Sequence, residues 1–203
     1  MSSSKYILFL DLETTGLDEK EGHIIELGMG VYTIDLEMVD MYQSICANEE
    51  SAKFLNDQSR WNDSEFAFKM HRKNGLNDEL FALRANEYEL PDGEFNTKNV
   101  FQCALEFAAQ YVPVDGTEPL AGNSLHFDRA WLKQHVPWFN DKFHYRNIDA
   151  SAQLEWLKKR NPGKANEVEK MREALWEGEH RVAADIRDSA NLFRALHKVG
   201  AAL

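Results

Sequence analysis

An α/β domain built on a mixed sheet is the fold class this sequence predicts, on three observations. Residues 5–10 form a nearly continuous apolar run ending in Asp-Leu-Glu, as in a strand buried on both faces. Residues 23–33 and 36–46 read as two more strands joined by a short turn at Ile34-Asp35. Further along, stretches of helical spacing alternate with short apolar segments, which places helices on both faces of the sheet.

The later elements follow from spacing and punctuation. Residues 51–83 carry apolar positions at Phe54, Leu55, Trp61, Phe66, Met70, Leu76, Leu80 and Phe81 and read as helical pieces. Residues 84–98 are polar and contain Pro91-Asp92-Gly93, the mark of a surface excursion. Residues 99–112 have helical spacing through Phe101, Ala104, Leu105 and Ala108 and stop at Pro113. A short strand at 119–122, a helix at 126–136, a strand at 145–148 and a helix at 150–160 come next. Residues 179–199 close the chain as a helix with Ile186, Ala190 and Phe193 on one stripe. The result is a five-stranded mixed sheet in a single domain over residues 1–203, with no repeat or linker to divide it.

Composition narrows the function classes. The apolar runs are too short to span a bilayer, and Met1-Ser2-Ser3-Ser4-Lys5 leads into a strand rather than a signal peptide. The expectation is a soluble protein of cytoplasmic type with no membrane partner. Cys46 and Cys103 are the two cysteines, far apart, and read as buried reduced thiols rather than a disulfide framework or a zinc site. Lys and Arg total 23 against 34 Asp and Glu, a formal net charge of -11. That is the wrong sign for gripping long nucleic acid through many phosphates. A nucleic-acid substrate would have to be short, or have its charge met locally by metal ions; a charge of this size equally fits ordinary solubility.

Five residues have the chemistry for phosphodiester cleavage: Asp11, Glu13, Asp128, His180 and Asp185. Asp11 and Glu13 are two apart on a strand, so both carboxylates project to one side while Leu12 points to the other. Magnesium takes hard oxygen ligands, including one or two carboxylates, which this pair supplies. The pair also fits a plain strand end, and Asp128 fits a first-turn acid favoured by the helix dipole. In an unbroken helix His180 and Asp185 would lie about 140° apart around the axis, so His180 is expected on the loop or first turn leading into the last helix.

The string Asp11-Leu12-Glu13-Thr14-Thr15-Gly16-Leu17 resembles the first exonuclease motif of the DEDD superfamily. Gly122-Asn123-Ser124-Leu125-His126-Phe127-Asp128 is similar to the second motif, and His180-Arg181-Val182-Ala183-Ala184-Asp185 to the third. The five-residue step from His to Asp is that of the histidine subgroup. Phe143-His144-Tyr145-Arg146, Asp149, Ser151, Asp185-Ile186-Arg187-Asp188-Ser189, Trp61-Asn62, His71 and Gly75-Leu76 bring the likeness closest to the oligoribonucleases. Thr14, where oligoribonucleases usually carry methionine, the longer step from Trp61 to His71, Ala184 and residues 84–98 depart from that pattern.

The resemblance implies an RNase H-like fold and a 3′–5′ exoribonuclease that cuts short oligoribonucleotides, dinucleotides foremost, to nucleoside 5′-monophosphates. Its cofactors would be two divalent cations, Mg or Mn, and its form a homodimer. Asp11 would bridge both ions, Glu13 and Asp185 would hold the nucleophile-side ion and Asp128 the second, and His180 would be the general base. Leu17, Trp61 and His71 would contact the bases, Ser124, Arg146 and Ser151 would cap the 5′ phosphate, and Tyr145 would reach in from the partner subunit. Arg146 is a fork suited to a terminal phosphate. Other readings stay open: Asp188 as ligand in place of Asp185, His180 as a surface histidine, Trp61 and Tyr145 as ordinary core or surface aromatics, and Arg146 as an ion-pair partner. At the level of function the alternatives are a single-stranded DNA exonuclease or proofreading subunit, favoured by Thr14, and a catalytically silent nucleotide-binding module.

Overall fold

The computed structural model describes residues 5–47, 61–85, 96–176 and 178–200. The sequence readings at 51–60 and over most of the 84–98 excursion lie outside the described residues. Strands β1 (Tyr6–Thr14), β2 (Ile24–Thr33) and β3 (Met38–Ile45) form an antiparallel meander. Strands β4 (Leu120–Gly122) and β5 (Asn147–Asp149) add in parallel on the other side of β1, giving the order β3-β2-β1-β4-β5. This is the mixed five-stranded sheet read from the sequence. The helices are α1 (Trp61–Lys73), α2 (Leu76–Ala85), α3 (Thr97–Ala108), α4 (His126–His135), α5 (Pro137–Asn140), α6 (Ala150–Arg160), α7 (Pro162–Glu173) and α8 (Val182–Lys198).

Alternation along β1 assigns the two faces of the sheet. Leu8, Leu10 and Leu12 pack with Val100, Phe101 and Ala104 of α3 and Trp131 and Leu132 of α4. Phe9 points the other way, into a cluster with Tyr32, Ala121 and the α8 residues Ile186 and Ala190. Asp11 and Glu13 share the parity of Phe9, so the pleat delivers both carboxylates to the α8 face. Two glycines let α8 lie close against β2 there. A Cβ on Gly28 would meet the Val182 Cβ at 2.7 Å, and one on Gly30 the Ile186 Cγ2 at 2.7 Å.

The structure differs from the sequence reading in several places. β1 runs on through Thr14, so Asp11 and Glu13 lie within a paired strand, opposite Gly28 and Glu26. The last helix begins at Val182, with Glu179 and His180 before it. Helix α7, absent from the sequence reading, starts where the Asn161 side chain accepts from the Lys164 N–H and Pro162 occupies the first turn, a favoured helix opening. Cys46 is buried as expected, but Cys103 is exposed, because α3 buries Val100, Phe101, Ala104 and Ala108 and turns Cys103 outward. Among the described residues no helix is long and apolar enough to cross a membrane.

Candidate active site

Three of the predicted metal ligands converge. Asp11 and Glu13 come from β1 and Asp185 from the first turn of α8, and each offers an oxygen within 4.8 Å of the others. Strand pleat and glycine-permitted helix contact together bring residues from opposite ends of the chain to one point. Asp128, the buried acid in the first turn of α4, stands beside this trio rather than in it. Its Oδ1 accepts from the Leu12 N–H at 3.0 Å, which anchors α4 to the strand between the two β1 acids.

Crowding of these acids has a direct electrostatic consequence. Burial, and then the charges of Asp128, Glu13 and Asp185, hold the Asp11 carboxyl well above the usual carboxylate range. Burial, with the charges of Asp185 and Glu26, pushes Glu13 up to about 9, and a hydrogen bond joins it to Asp185. Asp128 rises to about 8, chiefly through burial. Asp185 is also raised by burial, against the opposing charge of His180. Four crowded acids whose carboxyls are all raised, Glu13 and Asp128 far enough to hold protons at neutral pH, are an oxygen donor set suited to hard divalent ions. The site fits such ions without further ligands from cysteine or histidine.

His180 sits, as the angular argument required, on the loop before α8. It takes a left-handed φ of 45°, its ring makes a T-shaped contact with Trp176, centroids 5.7 Å apart, and Asn74 Nδ2 donates to its carbonyl oxygen. The next residue, Arg181, forms a double fork: it binds both oxygens of buried Glu26 at 2.8–3.1 Å and both of Glu79 at 2.9 and 3.0 Å. Asp188, the competing ligand, is taken by Arg172 and lies outside the three-acid cluster.

The expected substrate residues occupy distinct places. Leu17 stands 85% exposed on the β1–β2 loop. That loop is pinned where Thr14 Oγ1 donates to Gly16 O, the His23 N–H to Thr15 Oγ1, and His135 Nε2 meets Glu19 O. His71 is buried in the site, its Nε2 3.0 Å from Thr14 O and 3.8 Å from Glu13 Oε2. Burial first, then the charges of His180 and Arg181, hold it below the ordinary histidine pKa, against the Thr14 hydrogen bond. Trp61 opens α1, and its side chain lies outside the described residues.

Ser124, with a left-handed φ of 58°, directs its N–H to Asp149 Oδ1 and Ser151 Oγ, and its hydroxyl to Ser151 Oγ at 3.2 Å. Asp149 caps α6 and also accepts from the Leu125 N–H and the Ser151 hydroxyl. Burial would raise its pKa, but these hydrogen bonds outweigh it and leave the carboxyl below its ordinary value. Tyr145 is 74% exposed, with His144 stacked on one side and the Arg146 guanidinium 5.4 Å from its ring centroid. Ser124 and Ser151 are therefore brought together, whereas the guanidinium of Arg146 lies over Tyr145.

Sequence reasoning gave no role to Glu26, Asn74 or Glu79. Glu26 left one signal, a lone charge in the apolar run Ile24-Ile25-Glu26-Leu27. Asn74 and Glu79 left none, because their partners in the site, His180 and Arg181, are more than 100 residues away.

A five-stranded mixed sheet with acids from β1, α4 and α8 at one end defines a nuclease-type hydrolase, and the comparisons agree. The exonuclease family model RNase_T matches residues 8–193. Among curated relatives, the oligoribonuclease of Neisseria meningitidis serogroup C is 30% identical over 96% of this chain and 91% of its own length. Those of Idiomarina loihiensis and Nitrosomonas eutropha are 31% and 32% identical, over 90% and 92% of this chain and 87% and 90% of theirs. The chain belongs to the oligoribonuclease family within the DEDD exonuclease superfamily. The fold also matches a moderately thermophilic Exonuclease I from Methylocaldum szegediense, with a TM-score of 0.52 at 13% identity. That match covers 95% of this chain and 40% of the longer protein.

Proposed function

We propose that this protein is a 3′–5′ exoribonuclease that hydrolyses short oligoribonucleotides, dinucleotides foremost, to nucleoside 5′-monophosphates with two divalent cations, Mg or Mn. The observation that carries the reading is the convergence of Asp11, Glu13 and Asp185 within 4.8 Å, in a chain whose curated relatives bear the name oligoribonuclease. Bound cations would polarise the attacking water and neutralise charge on the phosphate and the leaving oxygen. Asp11, with Glu13 and Asp185 on the nucleophile side and Asp128 on the other, would present carboxylate oxygens to the ions. His180 would accept the water's proton at an imidazole nitrogen. The water oxygen would bond to phosphorus as the bond to the 3′ oxygen breaks, and that oxygen would leave as an alkoxide that takes its proton from solvent water.

The same reading gives substrate length to the residues around the acids. Leu17 would offer an apolar face to the bases from a pinned loop, and His71 and Trp61 would be further base contacts. Ser124 and Ser151 present hydroxyls to a 5′ phosphate, with Arg146 supplying charge once it swings from Tyr145. A pocket closed at that phosphate admits very short chains, which accords with a net charge of -11. In a homodimer the partner subunit's Tyr145 would complete the pocket.

Two measurements test this reading. With Mn²⁺, 5′-phosphorylated RNA dinucleotides should yield nucleoside 5′-monophosphates, and the Asp11→Ala variant should yield none; retained turnover refutes the metal assignment. A DNA dinucleotide of the same sequence should be cut more slowly, since only RNA offers a 2′-hydroxyl; equal rates favour the DNA-exonuclease alternative.

A further inference from the structure

We infer that Asn74 is a positioning residue for His180, so that the α1–α2 helix pair, which also carries the base-contacting side chains, sets the geometry of the proposed general base. The inference rests on the reading of His180 above. His180 is a non-glycine residue at a φ of 45°. A left-handed backbone at a non-glycine residue is strained and persists only where the surroundings hold it. Here the hold is visible on both sides of the peptide.

On one side stands Asn74, directly after α1. Its Nδ2 donates to His180 O while its Oδ1 accepts from the Leu76 N–H at 3.1 Å, so both ends of the amide are engaged. The Asn74 N–H itself donates to Met70 O at 3.0 Å, which fixes the residue to the last turn of α1. The following residue of the loop, Arg181, is bound by Glu79 of α2 and by Glu26 of β2. The His180-Arg181 pair is thus suspended between the helix pair and the sheet. Trp176 restrains the imidazole through the T-shaped ring contact, and Asn74 restrains the backbone that carries it.

The helix pair also carries the substrate side of the site. His71 lies three residues before Asn74, hydrogen-bonded to Thr14 O beside Glu13, and Trp61 opens the same helix. A displacement of α1 on engaging a base would be transmitted to His180 through one side-chain amide. Asn74 touches no reacting atom, so its effect belongs to turnover rather than to affinity for substrate or metal.

Asn74→Asp isolates the donor: it keeps an oxygen for the Leu76 N–H but turns an acceptor toward the His180 carbonyl. Measured on the full chain with a 5′-phosphorylated RNA dinucleotide and Mn²⁺, kcat should fall roughly ten- to a hundredfold, the cost of a small misplacement of a reacting group. KM and the Mn²⁺ dissociation constant should each change by less than about twofold. The His180→Ala variant is measured alongside and should be inactive. If it retains full turnover, the base assignment fails, and this inference with it. If His180→Ala is inactive while Asn74→Asp has the parent kcat, the inference fails alone. A fall in kcat matched by equal losses in KM and metal affinity also overturns it, since general loosening of the site would do the same. Should Asn74→Asp not fold, Glu79→Ala, at the exposed end of the second tie, must show a kcat-only loss of about threefold; an unchanged kcat overturns the inference.

Discussion

Metal binding by this protein should release protons, by an amount set by the crowding of its acids. Glu13 is pushed up to about 9 and Asp128 to about 8, so both carboxyls carry protons at pH 7 in the metal-free protein. Cations bind the deprotonated oxygens, and loading both ion positions at pH 7 should expel about two protons. Apparent affinity should climb with pH, by up to about a hundredfold per unit while both acids are protonated, and level off above pH about 9. The assay is calorimetric titration with Mn²⁺ at pH 7 in buffers of different ionisation enthalpy, repeated across pH 6–9.5. Glu13→Gln should reduce the count by about one proton. No buffer dependence, together with an affinity flat in pH, would refute the electrostatic picture. Folding follows the opposite sign. Between the ordinary carboxyl range near pH 4 and the raised values, the metal-free native state binds more protons than the unfolded chain, so its stability falls as pH rises through that window. Saturating Mn²⁺ should remove most of that fall.

Two further outcomes concern the scaffold. Arg181→Met leaves buried Glu26 without its cation and should cost about 3 kcal/mol in urea denaturation; the Glu26→Gln, Arg181→Met double variant should recover much of this, and its failure to do so would contradict the charge argument. Gly28→Ala drives a methyl into Val182 at the foot of α8 and should cost roughly 1–3 kcal/mol, with weaker Mn²⁺ binding because Asp185 moves with the helix. Parent-like stability would mean that α8 does not depend on that close approach.

The periodic features of this fold were readable in advance, and the long-range ones were not. Residue parity put Asp11 and Glu13 on one face, and the 140° argument took His180 off the last helix; both rest on the repeat of one element. Asn161-Pro162 is a legible helix opening whose helix went unread because α7 buries only Ala165 and Val168 and so shows no strong stripe. Asp128 was legible as a site acid but not its bond to the Leu12 N–H, since nothing local encodes a contact across 116 residues. The Arg181 fork and the Asn74 tie were hidden for the same reason. Each joins residues that become neighbours only once α8 has settled on Gly28 and Gly30.

The most direct test of the central claim is a time course on 5′-phosphorylated RNA of two to about ten nucleotides with Mg²⁺ or Mn²⁺. The proposed cap of Ser124, Ser151 and Arg146 on the 5′ phosphate predicts that the dinucleotide disappears fastest and that rate falls steeply with each added nucleotide. Equal rates at every length would contradict the account.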